Sequence, residues 1–103
     1  MKTYLHIGGL VAAGFDPTGT YLLTITHSGR GVFSTSTWER VARDYTLAYP
    51  ENGTGIGIGP IVGQIISVTE MDYTKEAFHL VSPDEKIALS CESSGIDVQL
   101  SET

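Results

Sequence analysis

Five groups of residues in this chain have side chains or spacing that could do chemistry. The run Gly55-Ile56-Gly57-Ile58-Gly59-Pro60 has the glycine content of a phosphate-cradling loop. Such a loop needs successive backbone N–H donors, a Lys-Ser or Lys-Thr pair behind it, or a helix opening after it. Here Pro60 removes a donor, no such pair follows, and Ile61 to Val68 reads as strand. The glycines predict close backbone approach over a strand or a bulge, in a loop available for partner contact.

His27 and Ser28 are neighbours in the chain, which does not make them base and nucleophile. Those roles require side chains that face each other and a third group that orients the base. His6, His27 and His79 are too scattered for metal-ligand spacing. Cys91 is the lone cysteine, flanked mid-strand by Ser90 and Glu92. It excludes an internal disulfide and a cysteine zinc site, and reads as a buried, inert thiol. Glu70, Asp72 and Glu76 gather around Met71 and Tyr73. Paired carboxylates can do acid–base work, but nothing near them marks a perturbing group. They read either as a charged hairpin edge that discourages aggregation or as a recognition patch anchored by Tyr73. The expectation is therefore a non-enzyme with no catalytic residues, no metal and no cofactor.

The charge is unevenly placed. The chain has a formal net charge of −6. Residues 1–69 hold four acids and four bases, whereas residues 70–103 hold eight acids against Lys75 and Lys86, so the whole imbalance lies in the last third. That surface argues against nucleic acid, whose phosphates need basic contacts, and favours a basic protein partner. Hydrophobic residues make up 41% and charged residues 17%, the balance of a folded domain. At 103 residues, a single domain with one modest core is expected. The apolar stretch after Met1-Lys2-Thr3 is interrupted by His6, Gly8 and Gly9, which disfavours a signal peptide, and no stretch has the length of a membrane helix. A cytoplasmic location is expected, with Asn52-Gly53-Thr54 read as a turn and not a glycosylation site.

The elements that must carry these residues read as strands. Tyr4 to Phe15 is apolar with central glycines and reads as one buried strand. Asp16-Pro17-Thr18-Gly19 has type I turn chemistry, and Thr20 to Thr26 and Gly31 to Thr35 follow as strands. Trp38 to Tyr45 reads as a further strand rather than a short helix, with Trp38, Arg40 and Ala42 on one face and Glu39, Val41 and Arg43 on the other. Trp38 is expected to pack, and Arg40 and Arg43 to pair with acids of the second half. Strands are also expected at Ile65 to Thr69, Glu76 to Val81, Lys86 to Cys91 and Ile96 to Leu100. That makes about eight short strands with regular turn signals, an antiparallel all-β pattern.

Two segments match at an offset of 66 positions: Phe15-Asp16-Pro17-Thr18-Gly19 through Ser28-Gly29, and Val81-Ser82-Pro83-Asp84-Glu85 through Ser94-Gly95. Each places a valine three residues after its last glycine, at Val32 and Val98. On these residues, and on Gly31-Val32-Phe33 through Trp38-Glu39-Arg40-Val41, the chain resembles WD40-type propeller blades, over about residues 10–43 and 77–100. The offset exceeds the roughly 40–45 residues of such blades, and the excess is a glycine-rich insert at about 50–64. A closed propeller takes about four blades or more, so two must pack on each other, be covered by the insert, or pair with another chain. The implied fold is two WD-like β-meanders as an incomplete propeller or β-sandwich-like domain.

The run from Gly31 to Asp44, with Gly57-Ile58-Gly59-Pro60-Ile61-Val62-Gly63, also resembles small stand-alone bacterial proteins of the kind that serve as immunity proteins of polymorphic toxin and contact-dependent inhibition systems. That resemblance implies a protein that neutralises a toxin by stoichiometric binding. With the charge distribution, it points to Glu70, Asp72, Tyr73, Glu76, Asp84, Glu85, Glu92 and Asp97 as partner-binding residues and to a basic toxin domain, such as a nuclease, as partner. No membrane partner is expected. The alternative is a homo-oligomerising structural β module, a homodimer at its simplest.

Overall fold

The computed structural model describes residues 2–45, 58–64, 66–72 and 74–100. The expected loop at Tyr49-Pro50, the glycines Gly53, Gly55 and Gly57, Ile65 and Tyr73 lie outside the described residues.

Among the described residues the chain forms nine strands: β1 Lys2–His6, β2 Leu10–Phe15, β3 Tyr21–Thr26, β4 Gly29–Ser34, β5 Arg40–Asp44, β6 Thr69–Glu70, β7 Phe78–Val81, β8 Ile87–Glu92 and β9 Gly95–Leu100. All pairings are antiparallel. The first sheet has the order β5-β4-β3-β2-β6 and the second the order β1-β9-β8-β7. The fold is all-β, as expected, and built of two meanders.

The first repeat supplies the consecutive hairpins β2 to β5, and the second supplies β7 to β9. The fourth strand of the second sheet comes from the other end of the chain. Leu5 of β1 pairs with Ile96 of β9. The stretch read as one strand from Tyr4 to Phe15 is therefore two strands in two different sheets, with Gly8 and Gly9 turning the chain between them. Gly9 takes φ 71°, a left-handed value that a side chain resists. β1 occupies in the second sheet the place β5 has in the first. A Cβ on Gly29 would collide with the carbonyl oxygen of Asp44 in β5, and a Cβ on Gly95 would collide with that of Leu5 in β1.

The two sheets pack face to face. Leu10, Ala13 and Leu22 of the first meet Leu5, Phe78, Leu89, Cys91, Ile96 and Val98 of the second. Trp38 is half-buried against this core, as expected for a packing residue. The other face of the first sheet presents Ala12, Leu23, Ile25 and Val32. A returning segment covers it with Ile58, Ile61 and Ile66. Pro60 sits in the first positions of a 3-10 turn over Gly59–Ile61, in which Ile61 is fully buried. Burying each large aliphatic side chain stabilises by about 1.5–3 kcal/mol. The molecule is thus three layers: second sheet, first sheet and covering segment. Residues 66–68 belong to this covering layer outside any strand, so the strand expected at Ile65 to Thr69 reduces to Thr69–Glu70.

Two β-bulges set which side chains enter which layer. In β2 the register shifts between Leu10 and Ala12, so Leu10 and Ala13 both enter the inter-sheet core. In β5, Ala42 pairs with Val32 and Arg40 with Phe33, leaving Val41 as the extra residue. The even alternation expected from Trp38 to Tyr45 fails for this reason: the strand starts at Arg40, and Arg40 and Arg43 come to one face of the sheet.

Candidate docking face and the acidic residues

The second sheet has one face in the core and one that no other described element covers. Along β9, Ile96 and Val98 are buried while Asp97 and Gln99 are exposed; along β8, Leu89 and Cys91 are buried while Ala88 is exposed. The register aligns the uncovered side chains into rows. Tyr4, Asp97, Ser90 and His79 stand opposite one another across four strands, and Gln99, Ala88 and Val81 form the next row. Between them lies a shallow recess of about 300 Å³ bordered by His79, Ala88, Ser90, Asp97 and Gln99. The small side chains of Ala88 and Ser90 make its floor low. Tyr4 stands at the side with its ring edge-on to His6, centroids 4.7 Å apart.

Asp, Ser and His are the residue types of a hydrolytic triad, but the order is wrong for one. The serine sits between carboxylate and imidazole, and no hydrogen bond among the described residues joins the three. A general base must reach its nucleophile and be oriented from behind, which this row does not provide. The arrangement suits recognition: a flat, small-residue floor with polar side chains around it.

The acidic residues named from sequence do not form one patch. Glu70 lies on β6 and Asp72 just beyond it, both exposed. Glu76 is exposed in the loop before β7. Asp84 and Glu85 occupy the turn before β8 and Glu92 the far end of that strand, on the order of 20 Å apart at strand rise. Only Asp97 lies in the recess of the uncovered face. Tyr73, expected as an anchor, lies outside the described residues.

Two of these carboxylates do local work as well. Thr74 donates to Asp72 Oδ1 through its hydroxyl at 2.6 Å and its N–H at 3.0 Å. The Ser82 hydroxyl donates to Asp84 Oδ1 at 2.6 Å and the Lys86 N–H at 3.0 Å. These bonds, the hydroxyl first, lower both carboxyl pKa values below the ordinary one.

The remaining sequence candidates are dispersed. His27 and Ser28 sit exposed in the β3–β4 turn, where the Ser28 hydroxyl lies 3.3 Å from that of Thr26. Cys91 is fully buried, and burial pushes its thiol up to about 12. Among the described residues no three His, Cys, Asp or Glu side chains are placed to hold a metal. The expected ion pairs from Arg40 and Arg43 to acids of the second half do not form among the described residues. The carboxylate partner seen is within the first sheet, where Arg30 Nη2 lies 2.6 Å from Asp44 Oδ2. Arg43 instead stands over the Tyr45 ring, 5.5 Å from its centroid.

Sequence reasoning missed Tyr4, His79, Ser90 and Gln99 as members of one face. The alternation of β8 was readable, with Ala88 and Ser90 on a common side. The row was not, because one of its strands comes from the other end of the chain. No helix among the described residues is long and apolar enough to cross a membrane. In comparisons with known proteins, no family model, curated protein or solved structure matches this chain.

Proposed function

We propose that this chain is a non-enzymatic protein-binding module that docks a basic partner on the uncovered face of its second sheet. The observation that carries the reading is the asymmetry of the three layers. One face of the first sheet is covered by the chain's own segment around Ile58, Ile61 and Ile66, while among the described residues no element covers the outer face of the second sheet, where Asp97 lies in the recess. That sheet also draws most of its strands from the third of the chain holding all the excess acid. Asp84 and Glu85 at one end of β8 and Glu92 at the other flank the face with negative charge.

The form of binding this supports best is inhibition of a cognate toxin, as in immunity proteins, with the WD-like meanders as scaffold. A nuclease must attract phosphate with Lys and Arg, and an acidic face would occlude that site by meeting the same cations. The test is to search the neighbouring reading frames for a basic toxin domain and titrate any such domain against the protein by calorimetry, at low and moderate salt. Affinity should fall severalfold as salt rises, and Asp97→Lys with Ala88→Arg should abolish binding while leaving the melting temperature in place. Absent or salt-independent binding sinks the reading.

A homodimer is the second reading, favoured by Tyr4 and Val81 on the same face, 39% and 57% exposed. The covering segment blocks head-to-tail stacking through the first sheet, so self-association would be two-fold, face on face. Light scattering decides it: a dimer that Ala88→Arg converts to monomer supports self-pairing, and a monomer at all concentrations removes it.

A further inference from the structure

Between the two sheets, at the end where β1 turns into β2, a cleft of about 230 Å³ opens. His6 and Gly8 line one side, and Thr24, Arg40, Arg43 and the Arg30–Asp44 ion pair the other. The bulge at Val41 is what puts both arginines there. Unbulged, β5 would send residues three apart to opposite faces; with Val41 looped out, Arg40 pairs with Phe33 and Arg43 with Gly31 on the inter-sheet side. Gly31 makes the room. A Cβ there would stand 3.3 Å from Arg40 Cδ and 3.3 Å from Thr24 Oγ1, so the arginine stem crosses the space a side chain would fill. The Tyr45 ring lies against the Arg43 guanidinium and restricts its swing.

We infer that this cleft is a binding site for a small phosphate-type dianion, such as the phosphate of a phosphomonoester. Arg40 and Arg43 make no ion pair with a carboxylate among the described residues, although the chain as a whole carries an excess of acid. Arg30 and Asp44, which also line the cleft, balance each other's charge in their 2.6 Å ion pair, so Arg40 and Arg43 leave the lining with an excess of two positive charges, and planar guanidinium donors fit the oxygens of a tetrahedral oxyanion two at a time. The cleft is smaller than an ordinary drug-sized pocket of roughly 300–1,000 Å³, which limits the ligand to the phosphate and a small attached group. Double positive charge favours a dianion over a carboxylate. The site is on a different face from the proposed docking surface and stands or falls separately.

The experiment is a titration of the protein with inorganic phosphate, followed by amide NMR at constant pH and ionic strength, with acetate as the parallel arm. The expected result is a saturable shift confined to His6, Gly8, Thr24, Thr26 and Gly31. Acetate should bind at least about tenfold more weakly, and Arg40→Gln with Arg43→Gln should weaken phosphate by at least about tenfold. Both arginines are exposed, so the glutamine variant should keep its melting temperature without phosphate. Gly8→Leu gives a second route. Nothing lies within 4 Å of a Cβ at Gly8, so leucine enters without a clash and should block the cleft. Absence of saturation up to about 20 mM phosphate, equal affinity for acetate, or affinity unchanged in both variants overturns the assignment.

Discussion

The Ser82 hydroxyl donates to Asp84 Oδ1 at 2.6 Å, and the first repeat holds the same pair of groups with their positions exchanged. There Thr18, at the place of Asp84, donates to Asp16 Oδ2 at 2.6 Å. In both turns the earlier residue accepts the N–H five positions on: Tyr21 to Asp16 at 2.9 Å and Ile87 to Ser82 at 3.0 Å. The main chain closes identically, with Asp16 N–H to Tyr21 carbonyl and Ser82 N–H to Ile87 carbonyl, both at 2.9 Å. Asp16 and Ser82 are both buried. One hydroxyl and one carboxylate thus build each turn, whichever stands first. Ser82→Ala should leave the Ile87 N–H without its acceptor and cost about 1–2 kcal/mol in urea unfolding. Ser82→Asp with Asp84→Thr, which copies the first turn, should restore most of that loss.

The pH dependence follows from the same bond. Donation from Ser82, then from the Lys86 N–H, holds the Asp84 carboxyl below its ordinary 3.8. A folded-state value below the unfolded one stabilises fully above the unfolded pKa, and the contribution is lost as pH falls through the folded value. The stability gap between the parent and Asp84→Ala should therefore be full at pH 7 and shrink below about pH 4. Unfolding curves at several pH values check this, and a gap that widens in acid would contradict it.

Glu85 sits at φ 63°, where the matching residue of the first turn is Gly19 at φ 76°. Left-handed backbone costs a side chain about 1 kcal/mol, part of which glycine gives back in unfolded-state entropy. Glu85→Gly should raise stability by about 0.5 kcal/mol. Gly19→Glu should lower it by about 1–2 kcal/mol, since its Cβ also meets Pro83 Cδ at 3.3 Å. Thermal melts of the two variants should move in opposite directions.

The junction of β1 with β9 is the most sensitive point in the second sheet. A methyl on Gly95 collides with the Leu5 carbonyl, which is backbone and cannot swing aside. Gly95→Ala should cost about 2 kcal/mol or more. Leu5→Ala, which empties a buried position of the inter-sheet core, should cost about 2–4 kcal/mol. Hydrogen exchange should show β9 amides opening first in Gly95→Ala; protection lost equally from both sheets would argue against a local junction.

Cys91 should resist thiol reagents while the protein is folded. Its thiolate is disfavoured by burial, which lifts the pKa to about 12, and the thiolate is the reactive form. Modification at pH 8 should be slow in buffer and fast in denaturant. Rapid labelling of the native protein would refute this.

The hairpins and turns were legible from the chain. Asp16-Pro17-Thr18-Gly19 and Ser82-Pro83-Asp84-Glu85 announce their turns, and Ile87 to Cys91 and Ile96 to Leu100 alternate as half-covered strands do. The proposed docking face was legible only in part. Ala88 and Ser90 could be assigned a common side, but the acids named with them scatter to both ends of β8 and to the edge of the other sheet.

The sequence by itself determined the class of the fold, because turn chemistry and period-two patterning act over a few residues and are written where they act. Tertiary structure alone decided that Tyr4 to Phe15 divides between two sheets, that β1 completes the second meander, and that Arg40 and Arg43 share a cleft. Those outcomes rest on pairings between distant segments. The carbonyl of Leu5 fits over Gly95, and a single extra residue at Val41 reverses which face a side chain meets. Register across strands is chosen by burial of whole faces at once, and local spacing does not encode that.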